Sequence, residues 1–371
     1  MKMETDVVYE GNCIEQMKQI EDNSIQCVVT SPPYWGLRDY GHAEQFGLEE
    51  TPEKYVDDLV EVFSEVKRVL KDDGTIWLNL GDTYYSKGGA SRHKGYSDPK
   101  YPNGRNGEFA EPQTAPHKFL KAKDLVGIPW RVAFALQERL GLYLRQAIIW
   151  HKPNAMPSSV SDRPSTDYEF IFLLSKSERY FYDNNAIKEP YDKPLDRWGG
   201  SYKRRAKNEK IDPNNKANAN SLARAGRDMR PDKNGRNCRA VWSFNTQPYP
   251  DAHFAVFPEE LPERCIKAGT REGDIVLDIF AGSGTTLWVA KKLNRRFIGI
   301  ELSSEYVSLI NKRISQETLH ALKFTQANST SLSHNRNLKD LSADKSQISA
   351  DAETSLNSDI NRNKLGCLTG R

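Results

Sequence analysis

The sequence predicts an α/β protein built on one open, largely parallel β-sheet, and three observations carry that reading. Residues 25–29 are a short apolar, β-branched run of the kind found in strands covered on both faces, and they lead straight into Ser31-Pro32-Pro33-Tyr34. A second buried run, 273–280, leads into the glycine turn Ala281-Gly282-Ser283-Gly284 and a helical pattern. Between residues 25 and 82, strand, helix and strand follow one another at the spacing of a βαβ unit, which demands parallel strands.

The elements follow in order. Residues 6–11 read as a strand stopping at Gly11-Asn12, and the apolar positions 13, 14, 17 and 20 predict a short helix over 13–20. The strand at 25–29 ends because two prolines cannot continue a ladder and fix φ at about −65°. The loop they make is stiff, and it lies where open α/β sheets bind ligands, outside the carboxyl end of a strand. Residues 36–47 form a polar flap beside it, its Arg38 and Asp39 available to a nucleic-acid ligand or simply to solvent.

Thr51-Pro52-Glu53 is a helix start with proline at the first position. That helix runs with apolar residues at three- to four-residue spacing and is expected to end at Asp73-Gly74, before a strand over 75–82. Pro129-Trp130-Arg131 opens another helix, followed by strands over 142–150 and 167–174, with 180–182 expected to pair as a hairpin at the sheet edge. Arg239–Trp242 re-enters structure, and Pro258-Glu259-Glu260 starts a helix through Ile266. The strand at 273–280, a helix from Thr285, a strand over 296–300 ending in Glu301, and a helix over 305–314 complete the ordered chain. From about Ser315 the composition is Ser, Asn, Asp and Gln with few aromatics, so 318–371 is expected to be a disordered tail.

Bulk properties exclude several classes. The N-terminus has no apolar signal-peptide core, and no apolar run approaches the roughly 18 residues of a membrane span. The cysteines (13, 27, 238, 265 and 367) show neither CxxC spacing nor disulfide-scaffold density, which points to the reducing cytoplasm and away from zinc; no metal is expected. The net charge of +3 says little about partners, but its distribution says more. Residues 86–123 are Gly-, Pro- and Asn-rich, basic, and carry Tyr96, Tyr101 and Phe109, the composition of a DNA-facing insertion or of a solvated excursion. Residues 190–239 are more basic still, with Arg, Asn and Gly interleaved and Arg204, Arg205, Arg227 and Arg230 as candidate DNA contacts; a flexible linker is the alternative.

The Ser31 loop suits one kind of chemistry. An exocyclic amine of a nucleobase is a poor nucleophile because its lone pair is delocalised into the ring. The Ser31 hydroxyl and the Pro32 carbonyl, held rigid by Pro33, can accept its two N–H bonds and turn the lone pair out of the plane, while Tyr34 offers a face for the base. At the second site, a glycine turn opening a helix is a general anion cradle, and an acid at the end of the next strand, Glu301, suits a ribose diol.

Thr30-Ser31-Pro32-Pro33-Tyr34-Trp35 resembles the catalytic loop of the amino-methylating DNA methyltransferases, and Val276-Leu277-Asp278-Ile279-Phe280-Ala281-Gly282-Ser283-Gly284-Thr285-Thr286 resembles their cofactor signature. The likeness spans roughly residues 5–315. It implies a Rossmann-like, S-adenosylmethionine-dependent methyltransferase sheet, circularly permuted so that the catalytic half precedes the cofactor half, with basic DNA-recognition insertions. The implied organisation is a catalytic half over 1–85 and 124–183, a basic insertion over 86–123, target recognition over 184–245, and a cofactor half over 246–317. The cofactor would be S-adenosyl-L-methionine, bound by Asp278, Phe280, Ala281, Gly282, Gly284, Thr285 and Glu301. Where this family usually has an Asp touching the cofactor's adenine the sequence has Asn12, whose amide can still meet an adenine edge.

The substrate implied is a base flipped out of double-stranded DNA. The Ser-Pro-Pro-Tyr form is typical of cytosine-N4 enzymes, Asp-Pro-Pro-Tyr being commoner among adenine-N6 enzymes. Adenine-N6 methylation, an RNA or protein-amide substrate, and a non-catalytic DNA-binding subunit stay open beside it. Also open are whether a cognate restriction endonuclease accompanies the protein and whether it works as a monomer or homodimer.

Overall fold

A computed structural model describes residues 3–37, 39–85, 117–191, 234–246 and 257–315. The chain divides into a unit over Met1–Asn311 and a second unit, Lys312–Arg371, of which only 312–315, the end of a helix, is described. Most of the basic insertion, the span 192–233 and the tail at 318–371 lie outside the described residues.

The elements are β1 (Val7–Glu10), α1 (Cys13–Met17), β2 (Ile25–Thr30), α2 (Pro52–Val69), β3 (Leu70–Leu80), α3 (Ile128–Leu140), β4 (Tyr143–His151), β5 (Tyr168–Ser175), β6 (Val241–Ser243), α4 (Glu260–Gly269), β7 (Ile275–Asp278), α5 (Thr285–Lys292) and β8 (Arg296–Glu301), with a helix over 304–315. They form one sheet in the order β1-β8-β7-β2-β3-β5-β4-β6. All neighbours are parallel except the two pairs that β5 makes. The order turns back on itself between β2 and β7, which pair through Val28 and Leu277. The loops after those two strands therefore leave the same edge side by side, the crevice in which open α/β sheets hold ligands.

Helices cover both faces. The stripe Tyr55, Leu59, Val62, Phe63 and Val66 of α2 is fully buried and packs with α1, α3 and the sheet residues Val28, Ile76, Leu78, Leu277 and Ile298. On the other face α4 comes so close to β2 and β3 that a Cβ at Gly269 would stand 2.6 Å from Thr75 Oγ1 and 3.1 Å from Cys27 Sγ. Thr51 caps α2 by accepting from the Lys54 N–H at 3.1 Å. The cap of α3 is supplied from a distance, since Gly127 has no side chain: the Asp82 carboxylate just past β3 accepts from the N–H groups of Gly127 and Ile128, both at 3.0 Å. Among the described residues no helix is long and apolar enough to cross a membrane.

Three expectations need correction. The helix expected over 13–20 stops at Met17, where the N–H groups of Gln19 and Ile20 turn to carbonyls three residues back and tighten the turn. Helix α2 ends at Val69, not at Asp73-Gly74. Leu70 takes extended geometry (φ −69°, ψ 135°) and pairs with Ile25, and Asp73-Gly74 lies in an irregularity within β3, where Asp73 accepts from Gln26 Nε2 at 3.1 Å. The hairpin is made by β4 and β5 rather than by 180–182, and it lies inside the sheet with β6 beyond it. Residues 180–182 bind singly instead, Phe181 through its N–H to the Asp73 carbonyl at 2.8 Å and Tyr182 by stacking on Trp77.

The two flanks of the span 192–233 are fastened to each other. Glu189 and Arg236 exchange backbone hydrogen bonds of 2.9 Å, and Tyr191 Oη donates to the Gly235 carbonyl at 3.2 Å. The Glu189 carboxylate, 12% exposed, binds the Arg239 guanidinium at 2.8 Å. Only glycine serves at 235, where φ is +114° and a Cβ would collide with the Glu189 carbonyl.

Candidate active site

At the end of β2 the Ser31-Pro32-Pro33-Tyr34 loop is clamped from outside. The hydroxyl of Tyr55, a fully buried residue of α2, donates to the Pro33 carbonyl at 2.8 Å, and Trp35 Nε1 donates to the Glu49 carbonyl at 2.9 Å. The Pro32 carbonyl accepts no hydrogen bond among the described residues. Ser31 Oγ donates to Tyr34 Oη at 3.4 Å, and Tyr34 Oη donates to Glu169 Oε2 at 2.8 Å. The edge of the Tyr34 ring fills the space a side chain at Gly81 would take, 2.6 Å from the position of its Cβ. Burial, then the neighbouring Glu169 charge, push the Tyr34 phenol well above its usual range, so it keeps its proton and remains a donor.

Glu169, Asn79 and Lys152 are site residues that the sequence did not reveal. Asn79 Nδ2 donates to Glu169 Oε2 and to the Phe170 carbonyl, both at 3.1 Å, and Lys152 Nζ forms an ion pair with Glu169 Oε1. Strand β5 runs against its neighbours, so its amino end meets their carboxyl ends and delivers Glu169 to the crevice. An acid in Tyr168-Glu169-Phe170 carries no signal until that direction is known.

Beside this loop, the turn after β7 is arranged around Glu301 at the end of β8. Glu301 Oε2 accepts from the Gly282 N–H at 2.7 Å and Oε1 from the Ser303 N–H at 3.0 Å. Burial pushes its carboxyl up in pKa. One N–H of the expected anion cradle is thus already engaged by the protein's own carboxylate, which makes this corner a set of acceptors before an anion site. Among the described residues a Cβ at Gly282 (φ +53°) would meet only the Phe280 carbonyl, at 3.9 Å, so they leave open room at the turn that a side chain would fill. The Ala281 N–H bonds to the Ile300 carbonyl at 2.9 Å, tying the turn to β8, and the buried Thr285 lies 3.3 Å from Ser283 Oγ. Phe280 meets Phe46 of the flap edge to face with centroids 5.8 Å apart.

Two residues expected to touch the cofactor are occupied in other ways. Asn12 Oδ1 caps α1 by accepting from Ile14 N–H at 3.0 Å, while its Nδ2 donates to Glu44 of the flap at 3.3 Å. Asp278 is 1% exposed, and its Oδ1 accepts from Thr30 Oγ1 at 2.7 Å and from the Phe280 N–H at 3.2 Å. It joins β7 to β2 and sets the departure of both loops; its carboxylate is turned into the sheet. Arg38, Arg204, Arg205, Arg227 and Arg230 lie outside the described residues. Among the described residues no cluster of His, Cys, Asp and Glu could hold a metal ion.

Burial pushes the Asp278 carboxyl up to about 6, against the hydrogen bonds from Thr30, Thr286 and Phe280 that pull it down. The folded value lies above the unfolded one, so the folded protein binds the proton more tightly and loses stability as pH rises from about 4 through about 6. Asp278→Asn removes that titration. Relative to the parent its unfolding free energy is expected to improve by about 1.4 kcal/mol between about pH 5 and about pH 7.5. Chemical denaturation at the two pH values checks this, and a pH-independent difference would refute it.

Comparison with known proteins bears on the same regions. The sequence profile of the N6_N4_Mtase family, described as DNA methylase, matches residues 25–312. The chain is 44% identical over 320 residues to the type II methyltransferase M.XycI of Xanthomonas campestris pv. cyanopsidis, covering 86% of this chain and 91% of that protein. It is 45% identical over 304 residues to the type II methyltransferase M.SmaI of Serratia marcescens, covering 82% and 89%. Among solved structures, the PvuII DNA methyltransferase (cytosine-N4-specific) superposes with a TM-score of 0.54 at 20% identity, over 84% of this chain and 87% of that one, a likeness of fold.

Proposed function

Since the chain belongs to the N6/N4 DNA methylase family, we propose that it is a type II, site-specific enzyme that methylates N4 of cytosine in double-stranded DNA, with S-adenosyl-L-methionine as the methyl donor. The observation that carries this reading is the adjacency of β2 and β7, which sets the rigid Ser31-Pro32 acceptors beside the open Gly282 turn. Serine at the head of the loop, the form typical of cytosine-N4 enzymes, supports cytosine over adenine.

The residues present fit the donor. The room at Gly282 suits a close-packed ligand, the paired oxygens of Glu301 suit a ribose diol, and the Phe280–Phe46 pair offers apolar surface for an adenine. When bound, the sulfonium supplies an electrophilic methyl group: the amine lone pair forms the N–C bond, the C–S pair leaves with sulfur, and one N–H proton is released. The chain's own part is positioning. Ser31 Oγ and the Pro32 carbonyl take the two N–H bonds, Tyr55 and Glu49 hold the loop that carries them, and Thr30–Asp278 fixes the spacing of the two strand ends.

Glu301→Ala is expected to weaken S-adenosyl-L-methionine binding about tenfold or more, since hydrogen bonds to a charged group are worth about 1.5–3 kcal/mol each. Titration calorimetry reads it, and an unchanged Kd would take the ribose contact away from Glu301.

The reading is tested by incubating the protein with labelled S-adenosyl-L-methionine and mixed-sequence duplex DNA, then analysing the digested nucleosides by mass spectrometry. N4-methylcytosine is the expected product. N6-methyladenine would move the base and leave the mechanism, and no methylated nucleoside at all would overturn the proposal.

A further inference from the structure

Ser31, Tyr34 and Glu169 form a hydrogen-bond chain that ends on a carboxylate, and an ionised carboxylate only accepts. Tyr34 has two acceptors for its single hydroxyl proton, Glu169 Oε2 at 2.8 Å and Asn79 Oδ1 at 3.3 Å, and gives it to the nearer, while Ser31 commits its own to the Tyr34 oxygen at 3.4 Å. With its hydrogen turned inward, Ser31 faces the crevice with lone pairs alone. That polarity matters for the reaction proposed above. A free serine hydroxyl donates as readily as it accepts, and one that donated to the amine nitrogen would occupy the very lone pair that must attack the methyl group.

The anchor is itself held. Lys152 pairs with Glu169 Oε1, Asn79 Nδ2 donates to Oε2 at 3.1 Å, and the side chains of Lys152 and Glu169 are 18% and 16% exposed. Both neighbours donate to the carboxylate, so its two oxygens are engaged as acceptors. We propose that Glu169 is a positioning residue that acts through Tyr34 to fix Ser31 as a hydrogen-bond acceptor for the target amine. The proposal rests on the amine-methylating reading of the site.

The test is Glu169→Gln, which keeps the shape and exchanges one acceptor for a donor. With Lys152 holding the remaining oxygen, the amide NH2 faces Tyr34, which then accepts from it and turns its own proton away, toward Ser31 or toward Asn79 Oδ1 at 3.3 Å. The expected result is a fall in kcat of about a hundredfold, with the KM for DNA and the affinity for S-adenosyl-L-methionine changed by less than about twofold. Tyr34→Phe, which removes the connecting atom, should lower kcat to a similar degree. In the Tyr34→Phe background, Glu169→Gln should cost less than about threefold, because contacts in one network are not additive. A merely structural ion pair behaves otherwise: its loss weakens folding and cofactor affinity, and its effect multiplies with that of Tyr34→Phe.

Parental kcat in Glu169→Gln, or multiplying effects in the double variant, overturns the proposal while leaving the methyltransferase reading intact. A parent protein that methylates no base in any duplex overturns that reading, and this inference falls with it.

Discussion

Ser31→Ala is expected to reduce DNA methylation by about a hundredfold or more, with the affinity for S-adenosyl-L-methionine unchanged. The substitution removes one oxygen from a loop that the Tyr55–Pro33 and Trp35–Glu49 bonds hold without its help, so the backbone should not move. What disappears is one of the two acceptors that aim the amine, leaving the Pro32 carbonyl alone. Because that interaction is made only with the reacting base oriented for transfer, the loss should fall on kcat and not on DNA affinity. Single-turnover methylation with the protein in excess over the duplex separates the two. Parental single-turnover rates would show that the amine is oriented by something other than Ser31.

The second large effect is structural. Gly284→Val is expected to destabilise the protein by about 2–6 kcal/mol, summing about 1–3 for a branched residue at positive φ and about 1–3 for overpacking. The residue sits at φ +76° as the N-cap of α5, and a Cβ there would stand 2.8 Å from Ile310, which is itself fully buried in the helix over 304–315. That helix gives no room, and the turn that carries Gly282 would have to shift with it. Thermal unfolding should show the loss directly. Gly284→Ala, with the strain and a smaller intrusion, should fall between, and a melting temperature equal to the parent's in both variants would refute the packing account.

Contiguous features were legible in the sequence. An apolar strand running into two prolines, and another running into Gly-Ser-Gly, each announce their own ends, and the βαβ spacing between 25 and 82 makes β2 and β3 parallel. What stayed hidden depends on which strands are neighbours. Glu169 lies 135 positions from Tyr34, and its meaning comes from β5 being the one strand that runs the other way among the described residues. Asp278 at a strand end looks the same in sequence with or without a threonine beside it, and its bond to Thr30 emerges only once β2 and β7 are paired. The end of α2 was misplaced because Val69 and Leu70 satisfy an apolar helix face and a buried strand equally well; extended geometry at Leu70 settles the choice.

The fastening of Glu189 to Arg236 bears on how such a protein changes over generations. Because the two flanks bond to each other, the separation of residues 191 and 234 is set by the fold itself and not by the sequence that joins them. Insertions, deletions and exchanges between 192 and 233 can therefore accumulate while Ser31, Asp278 and Glu301 keep their places. A lineage can try new sequences there without rebuilding its chemistry.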